Sequence, residues 1–339
     1  MSLKETVKKF IPSGLYDVYR ERRAYGRLRS EALWQLDRYN RSFAKHETGD
    51  AVQCEARVVF YSHQIEKGLS HTEFRLGFGE NALRNLAKAL VSLQKVDPNY
   101  RNNEAYKSAV SALKQYRDRH EDASFDIKRY LAFFPEDILK DAEMSRPEDG
   151  GSVVVTASSK KDNQNKPFEQ LFMGRRSVRE YANRPVTKDE IRKAVQIAMK
   201  TPTVCNRQPV RVHVIMSQDT IRKALALQGG FNGYDNPAAL LLIAADNRVF
   251  LWPNERNEGY TDGGLFGMSL LLALEAEGLA ACPLNTMMPR DTDEKTRELL
   301  HLPDSEYLVM YIAVGHFADS VETCVSKRFD VEKIMNYID

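Results

Sequence analysis

The hydrophobic period of this chain changes once, near its middle, and that change limits the architectures open to it. Up to residue 144 apolar residues recur at three- and four-residue spacing between long charged stretches, as in Leu28, Ala32, Leu36, Tyr39 and Phe43. From Phe168 onward helical runs alternate with short apolar runs of strand type. Between them lies Ser145-Arg146-Pro147-Glu148-Asp149-Gly150-Gly151, then the β-branched patch Val153 to Thr156, then a polar run from Ser158 to Pro167. Pro, Gly and polar clusters of this kind read as a linker, here holding one short strand. At 339 residues the chain is longer than one core usually fills. The expected division is a helical domain over 1–144, a linker over 145–167 and a second domain over 168–339.

In the first thirty residues Lys4, Lys8, Lys9, Arg20, Arg22, Arg23, Arg27 and Arg29 outnumber Glu5, Asp17 and Glu21 by five charges. This reads as the solvated face of a helix with Tyr16, Tyr19 and Tyr25 packed beneath it. The string from Ser62 to His71 admits two readings. In one, Gly68 ends a helix and Lys67 sits favourably at its C-terminus. In the other, His63, Glu66, Lys67 and His71 face the active site of the second domain, since positions three apart share a helix face. His63 and His71 are eight apart, so no metal site is expected.

In the second domain Thr187-Lys188-Asp189-Glu190 has the form of a capping box, followed by Ile191, Ala194, Val195 and Ala198 at helical spacing. Val210 to Met216 alternates, as a strand with one wetter face does. Ala239 to Ala245 and Tyr307 to Val314 are apolar nearly throughout and read as strands buried on both faces. Gly264 to Glu277 reads as an apolar helix ended by Gly278. The fold class expected is α+β, a central sheet with helices, preceded by an all-helical domain.

Lys and Arg number 49 against 47 Asp and Glu, a net charge of +2, too balanced for a general polyanion or nucleic-acid binder. Cys54, Cys205, Cys282 and Cys324 lie far apart without C-x-x-C spacing, as isolated thiols of a reducing compartment do, so a cytoplasmic location is expected. No apolar run approaches the length of a spanning helix and the first ten residues lack an export signal's apolar region, so no stable membrane insertion is expected.

Arg175-Arg176-Ser177-Val178-Arg179 places three guanidinium groups beside a hydroxyl within five residues. Guanidinium forks bind phosphate oxygens in pairs, so the string is a candidate phosphate cradle; alone, it is equally compatible with a surface cluster paired to carboxylates. Two further strings follow, Pro202-Thr203-Val204-Cys205-Asn206-Arg207-Gln208-Pro209 and Gly278-Leu279-Ala280-Ala281-Cys282-Pro283-Leu284-Asn285. With the basic pair Lys327 and Arg328, these elements in this order resemble the FMN-binding signature of the nitroreductase superfamily, over roughly the second half of the chain.

The resemblance implies a mainly antiparallel central sheet flanked by helices, and an FMN cofactor. It implies that Arg175, Arg176, Ser177 and Arg179 hold the FMN phosphate and ribityl side, with Lys327 and Arg328 adding charge. Pro202, Thr203, Val204 and Asn206 would reach the flavin of a partner subunit in a homodimer, Asn232 would contact the ring or be a plain turn residue, and Pro283, Leu284, Asn285 and Thr286 would line the ring. Trp252, Asn254, Arg256 and Tyr260 are candidate substrate contacts in a polar stretch that could equally be an exposed loop. Cys205 and Cys282 read as small buried packing residues. No catalytic acid or base can be named. The activity implied is an FMN-dependent oxidoreductase passing electrons from NAD(P)H to an electron-poor small molecule of nitro, quinone or enone type. A biosynthetic flavoenzyme with one dedicated substrate and a non-catalytic flavin-binding interaction protein are the alternatives.

Overall fold

The computed structural model describes residues 13–44 and 49–338. The first part of the basic N-terminal run, Lys4 to Lys9, thus lies outside the described residues. The helical half comprises α1 (Ser13–Ser42), α2 (Ala51–Leu69), α3 (Glu80–Val96), α4 (Glu104–Asp122), the one-turn α5 (Lys128–Leu131) and α6 (Glu136–Glu143). Asp50 caps α2 by accepting from the Gln53 amide, and Asn103 caps α4 by accepting from that of Ala105, so each start has a side-chain partner for an otherwise orphaned donor. Val58, Ile65 and Leu69 of α2, Leu83, Leu86 and Leu90 of α3, Tyr106, Leu113 and Tyr116 of α4 and Ile138 of α6 close one apolar core.

The expectation that tyrosines pack beneath α1 is corrected: Tyr19 and Tyr25 are 58% and 68% exposed. At 1.5 Å per residue this 30-residue helix is about 45 Å long. It lies against the short turn Pro253–Glu255, which cannot cover that length.

Residues 145–167 are fixed to both halves. β1 (Ser152–Thr156) pairs antiparallel with β6 (Ser320–Cys324), Ser152 opposite Cys324. Before it, Gly151 has φ +89°, and a Cβ there would stand 2.2 Å from the Gln115 side chain of α4, so only glycine fits. After it, the buried Lys160 pairs with the buried Glu275 at 2.6 Å, and Asn163 donates to the Glu275 carbonyl at 2.8 Å.

The second half holds α7 (Phe168–Gly174), α8 (Lys188–Ala198), β2 (Val210–Ile215), α9 (Gln218–Gln228), β3 (Ala239–Asp246), α10 (Glu258–Ala276), β4 (Leu279–Asn285), α11 (Arg290–Leu300), β5 (Glu306–His316) and β6. Its main sheet is antiparallel in the order β2-β3-β5-β4. β3 and β5 are the inner strands, which explains why their sequences are apolar nearly throughout, polar residues standing only at their ends. Period two divides β3 between two cores: Leu241 and Ile243 pack with Leu270 and Leu274 of α10, while Leu240 and Leu242 pack with Ile221 and Leu225 of α9. The capping box forms, Thr187 accepting from the Glu190 amide and Glu190 accepting from that of Thr187. The apolar helix starts at Glu258, earlier than its apolar run, because its first turns carry Tyr260 and Asp262.

Candidate functional site

After α7 the chain runs beside β4 as an irregular extra strand: Ser177 pairs in parallel with Ala281, and the Val178 amide donates to the Ala281 carbonyl at 3.1 Å. Thr323 of β6 holds the segment from the other side, its hydroxyl donating to the Ser177 carbonyl at 2.8 Å. This threading brings Arg175 to Arg179 alongside the residues that precede Thr286. Arg176 donates to the Val325 carbonyl at 2.9 Å. Arg179, only 7% exposed, has long contacts to the Ser177 carbonyl at 3.4 Å and the Cys324 sulfur at 3.5 Å.

Three buried polar atoms of the expected cofactor residues have no protein partner: Nη1 of Arg175, Nε of Arg179 and Oγ1 of Thr286. Buried donors left unmade are costly, so each calls for a partner from outside the chain, a water, an ion or a ligand. Burial pulls the Arg175 guanidinium below its usual value; Glu275 opposes this and Arg328 adds to it. Burial likewise pushes the Cys282 thiol up, while Arg179, Lys67 and Arg175 pull it down. Three cations therefore act electrostatically on Cys282 of β4, and one of them, Lys67, belongs to the helical half.

The remaining expected residues are placed as follows. Pro202 to Asn206 form a partly exposed loop in which Cys205 and Asn206 have φ of 48° and 55°; the Val204 amide donates to the Asp262 carboxylate of α10 at 3.2 Å, and Thr203 accepts from the Gln208 amide at 3.0 Å. Cys205 is exposed, which corrects its reading as a packing residue; Cys282 is buried. Pro283 is partly buried, Leu284 buried and Asn285 exposed. Asn232 is exposed and donates to the Gly229 carbonyl at 3.0 Å across a turn. Lys327 pairs with Asp149 at 2.9 Å, and Arg328 donates to the Ser326 carbonyl at 2.5 Å. Trp252 is 63% exposed, Arg256 donates to Gln35 of α1 at 2.6 Å, and Tyr260 stacks on Tyr307 with centroids 5.1 Å apart.

The Ser62 to His71 string both ends α2 and faces the second half. Lys67 donates to the Gly230 carbonyl at 2.6 Å, Tyr234 donates to the Lys67 carbonyl at 2.9 Å and stacks on His71 at 3.9 Å, and Glu66 accepts from the Gly151 and Ser326 amides. His63, Glu66 and Cys324 bring possible ligand atoms within 4.8 Å of one another. Arg179 lies 3.5 Å from that cysteine sulfur, however, and its charge opposes a cation there. The trio is a hydrogen-bonded joint, and its bonds with Cys324 and Glu66 push the His63 imidazole up to about 9. Asp262 was missed from the sequence, although a carboxylate just ahead of an apolar helical run was the available signal.

The model of the Nitroreductase family matches residues 172–252 and 228–316. This stretch carries the arginine string, the 202–209 loop and β4. Residues 172–316 are thus similar to the Nitroreductase family. Among the similar proteins are the following. A Bacillus subtilis (strain 168) protein named FMN reductase (NAD(P)H) is 25% identical over 159 residues, 42% of this chain and 63% of that protein. A Thermus thermophilus NADH dehydrogenase is 24% identical over 192 residues, 48% of this chain and 91% of that protein. A solved FMN-dependent nitroreductase from Clostridium difficile R20291 superposes with a TM-score of 0.40 at 19% identity, over 44% of this chain and 87% of that one. The helical half lies outside the family match, and no helix among the described residues is long and apolar enough to cross a membrane.

Proposed function

We propose that this chain is an FMN-dependent oxidoreductase that takes electrons from NAD(P)H and delivers them to an electron-poor small molecule of nitro, quinone or enone type. The observation that carries the reading is the set of orphaned donors on Arg175, Arg179 and Thr286, which collects at positions where the family resemblance expects the cofactor. The fit is chemical as well as positional. Arg176 and Arg328 both act on the Arg175 guanidinium, and the three would hold the phosphate with the Ser177 hydroxyl. Pro283, Leu284, Asn285 and Thr286 would line the ring. When bound, FMN supplies the hydride-accepting centre, and the protein supplies orientation and electrostatics. Trp252, Arg256 and Tyr260 would meet the acceptor on the side where α1 meets the second half.

We further infer a homodimer. Phe168, Phe172, Met173, Leu251 and Met287 leave apolar side chains 42–73% exposed, as surfaces that meet a second copy do. In that assembly the 202–206 loop would reach the partner's cofactor. The four free cysteines accord with a cytoplasmic location.

Purified protein should be yellow and release FMN on heating, and anaerobic NADH or NADPH should bleach it. Arg175→Ala with Arg179→Ala should lose the cofactor while keeping the native circular dichroism. Retained FMN in that variant, or a colourless wild type that FMN does not restore, overturns the assignment. Sedimentation should give twice the chain mass; a monomer with full cofactor would overturn the dimer.

A further inference from the structure

Lys67 and Arg179 come from different halves of the molecule, yet both stand at the seam: Arg179 reaches the Cys324 sulfur at 3.5 Å, and that sulfur lies within 4.8 Å of side-chain atoms of His63 and Glu66 on α2. Burial, and then the Arg179 guanidinium, hold the Lys67 ammonium below its usual value. The ammonium donates to the Gly230 carbonyl, and Arg179 retains an orphaned Nε. Among the described residues neither side chain is in an ion pair, although Lys160, as buried as Arg179, is paired with Glu275. A buried guanidinium and a half-buried ammonium, neither in an ion pair, raise the energy of the folded chain unless something electron-rich completes them. The molecule thus has two cationic poles flanking Cys282. Arg175, Arg176 and Arg328 form one, built wholly from the nitroreductase domain; Arg179 and Lys67 form the other, which exists only while α2 is docked.

We propose that the cofactor bridges these poles, its phosphate on the first and the oxygen-bearing end of its ring system on the second. FMN binding and docking of the helical domain are then one coupled equilibrium. This rests on the flavin reading above. Linkage makes the coupling reciprocal: whatever α2 contributes to cofactor affinity, the cofactor returns as closure of the seam. Glu66, Ser70 and His71 hold α2 to Gly151, Ser326 and Tyr234 but touch no orphaned donor, so they serve docking; Lys67 serves both.

The test uses the full chain stripped of flavin, titrated by fluorescence quenching with FMN and with riboflavin, which lacks the phosphate. Lys67→Gln should weaken both ligands by a similar factor, about tenfold, and Lys67→Arg should restore most of the loss. Arg175→Ala should weaken FMN far more than riboflavin. Hydrogen exchange across residues 62–71 should slow on adding FMN to wild type, and less so in K67Q. Unchanged binding of both flavins in K67Q overturns the proposal, as does a loss confined to FMN, which would put Lys67 at the phosphate pole. A wild type that binds neither flavin would instead defeat the cofactor assignment. Native circular dichroism and urea midpoint in K67R guard against misfolding of the K67Q variant.

Discussion

At the scale of single residues, the joint between the halves depends on protons. The His63 value of about 9 lies above the usual 6.5, so the folded state prefers the imidazolium. The stability it contributes is fully present below about pH 6.5 and is lost as pH rises through about 9. Urea midpoints should therefore fall across that window in wild type, and fall less in His63→Gln; parallel profiles would remove His63 from the joint. The Lys160–Glu275 pair is the buried counterpart, with both residues under a tenth exposed. Lys160→Met strands a buried carboxylate and should cost about 3–5 kcal/mol in urea unfolding, whereas adding Glu275→Met should recover most of it. If the double variant is as weak as the single, the loss arises from packing and not from charge.

At the scale of elements, Asp262 ties the first turns of α10 to the 202–208 loop through the Val204 amide. Asp262→Ala should free that loop, read as new proteolytic cleavage between residues 202 and 208 with the urea midpoint little changed; an intact loop would show that its own Thr203 bond suffices. One residue further on, a Cβ on Gly263 would stand 2.6 Å from Val309 of β5. Gly263→Ala should therefore cost about 1–3 kcal/mol by forcing helix and sheet apart. Such elements differ in how far the sequence discloses them. The capping box at Thr187 and the apolar β3 and β5 were legible because a local pattern carries the whole instruction. The start of α10 was not, because Tyr260 and Asp262 interrupt the apolar run while obeying helical geometry. The arginine string was legible as a candidate site, but its place beside β4 depends on the Ser177–Ala281 pairing across about a hundred residues.

At the scale of the whole molecule, the resemblance reached only the second half, and the Lys67–Gly230 contact joins residues 163 apart, beyond any periodicity. The exposure of Tyr19 and Tyr25 was equally hidden, since an amphipathic pattern does not say whether a surface is available to cover it. Saturating FMN should stabilise the chain by about 2.7 kcal/mol at a hundredfold excess over Kd, raising the melting temperature of both halves together. Separate transitions that FMN moves apart would argue for independent domains. The β1–β6 ribbon has one more effect. Its outer strand, and the stretch beyond it that supplies Ser326 to Glu66, Lys327 to Asp149 and Lys333 to Glu55, are synthesised after every group they bind. The half translated first must therefore wait on the ribosome for this clasp, and a nascent chain stalled before residue 320 would have the Lys67–Gly230 and His71–Tyr234 contacts but not the ribbon that completes the latch.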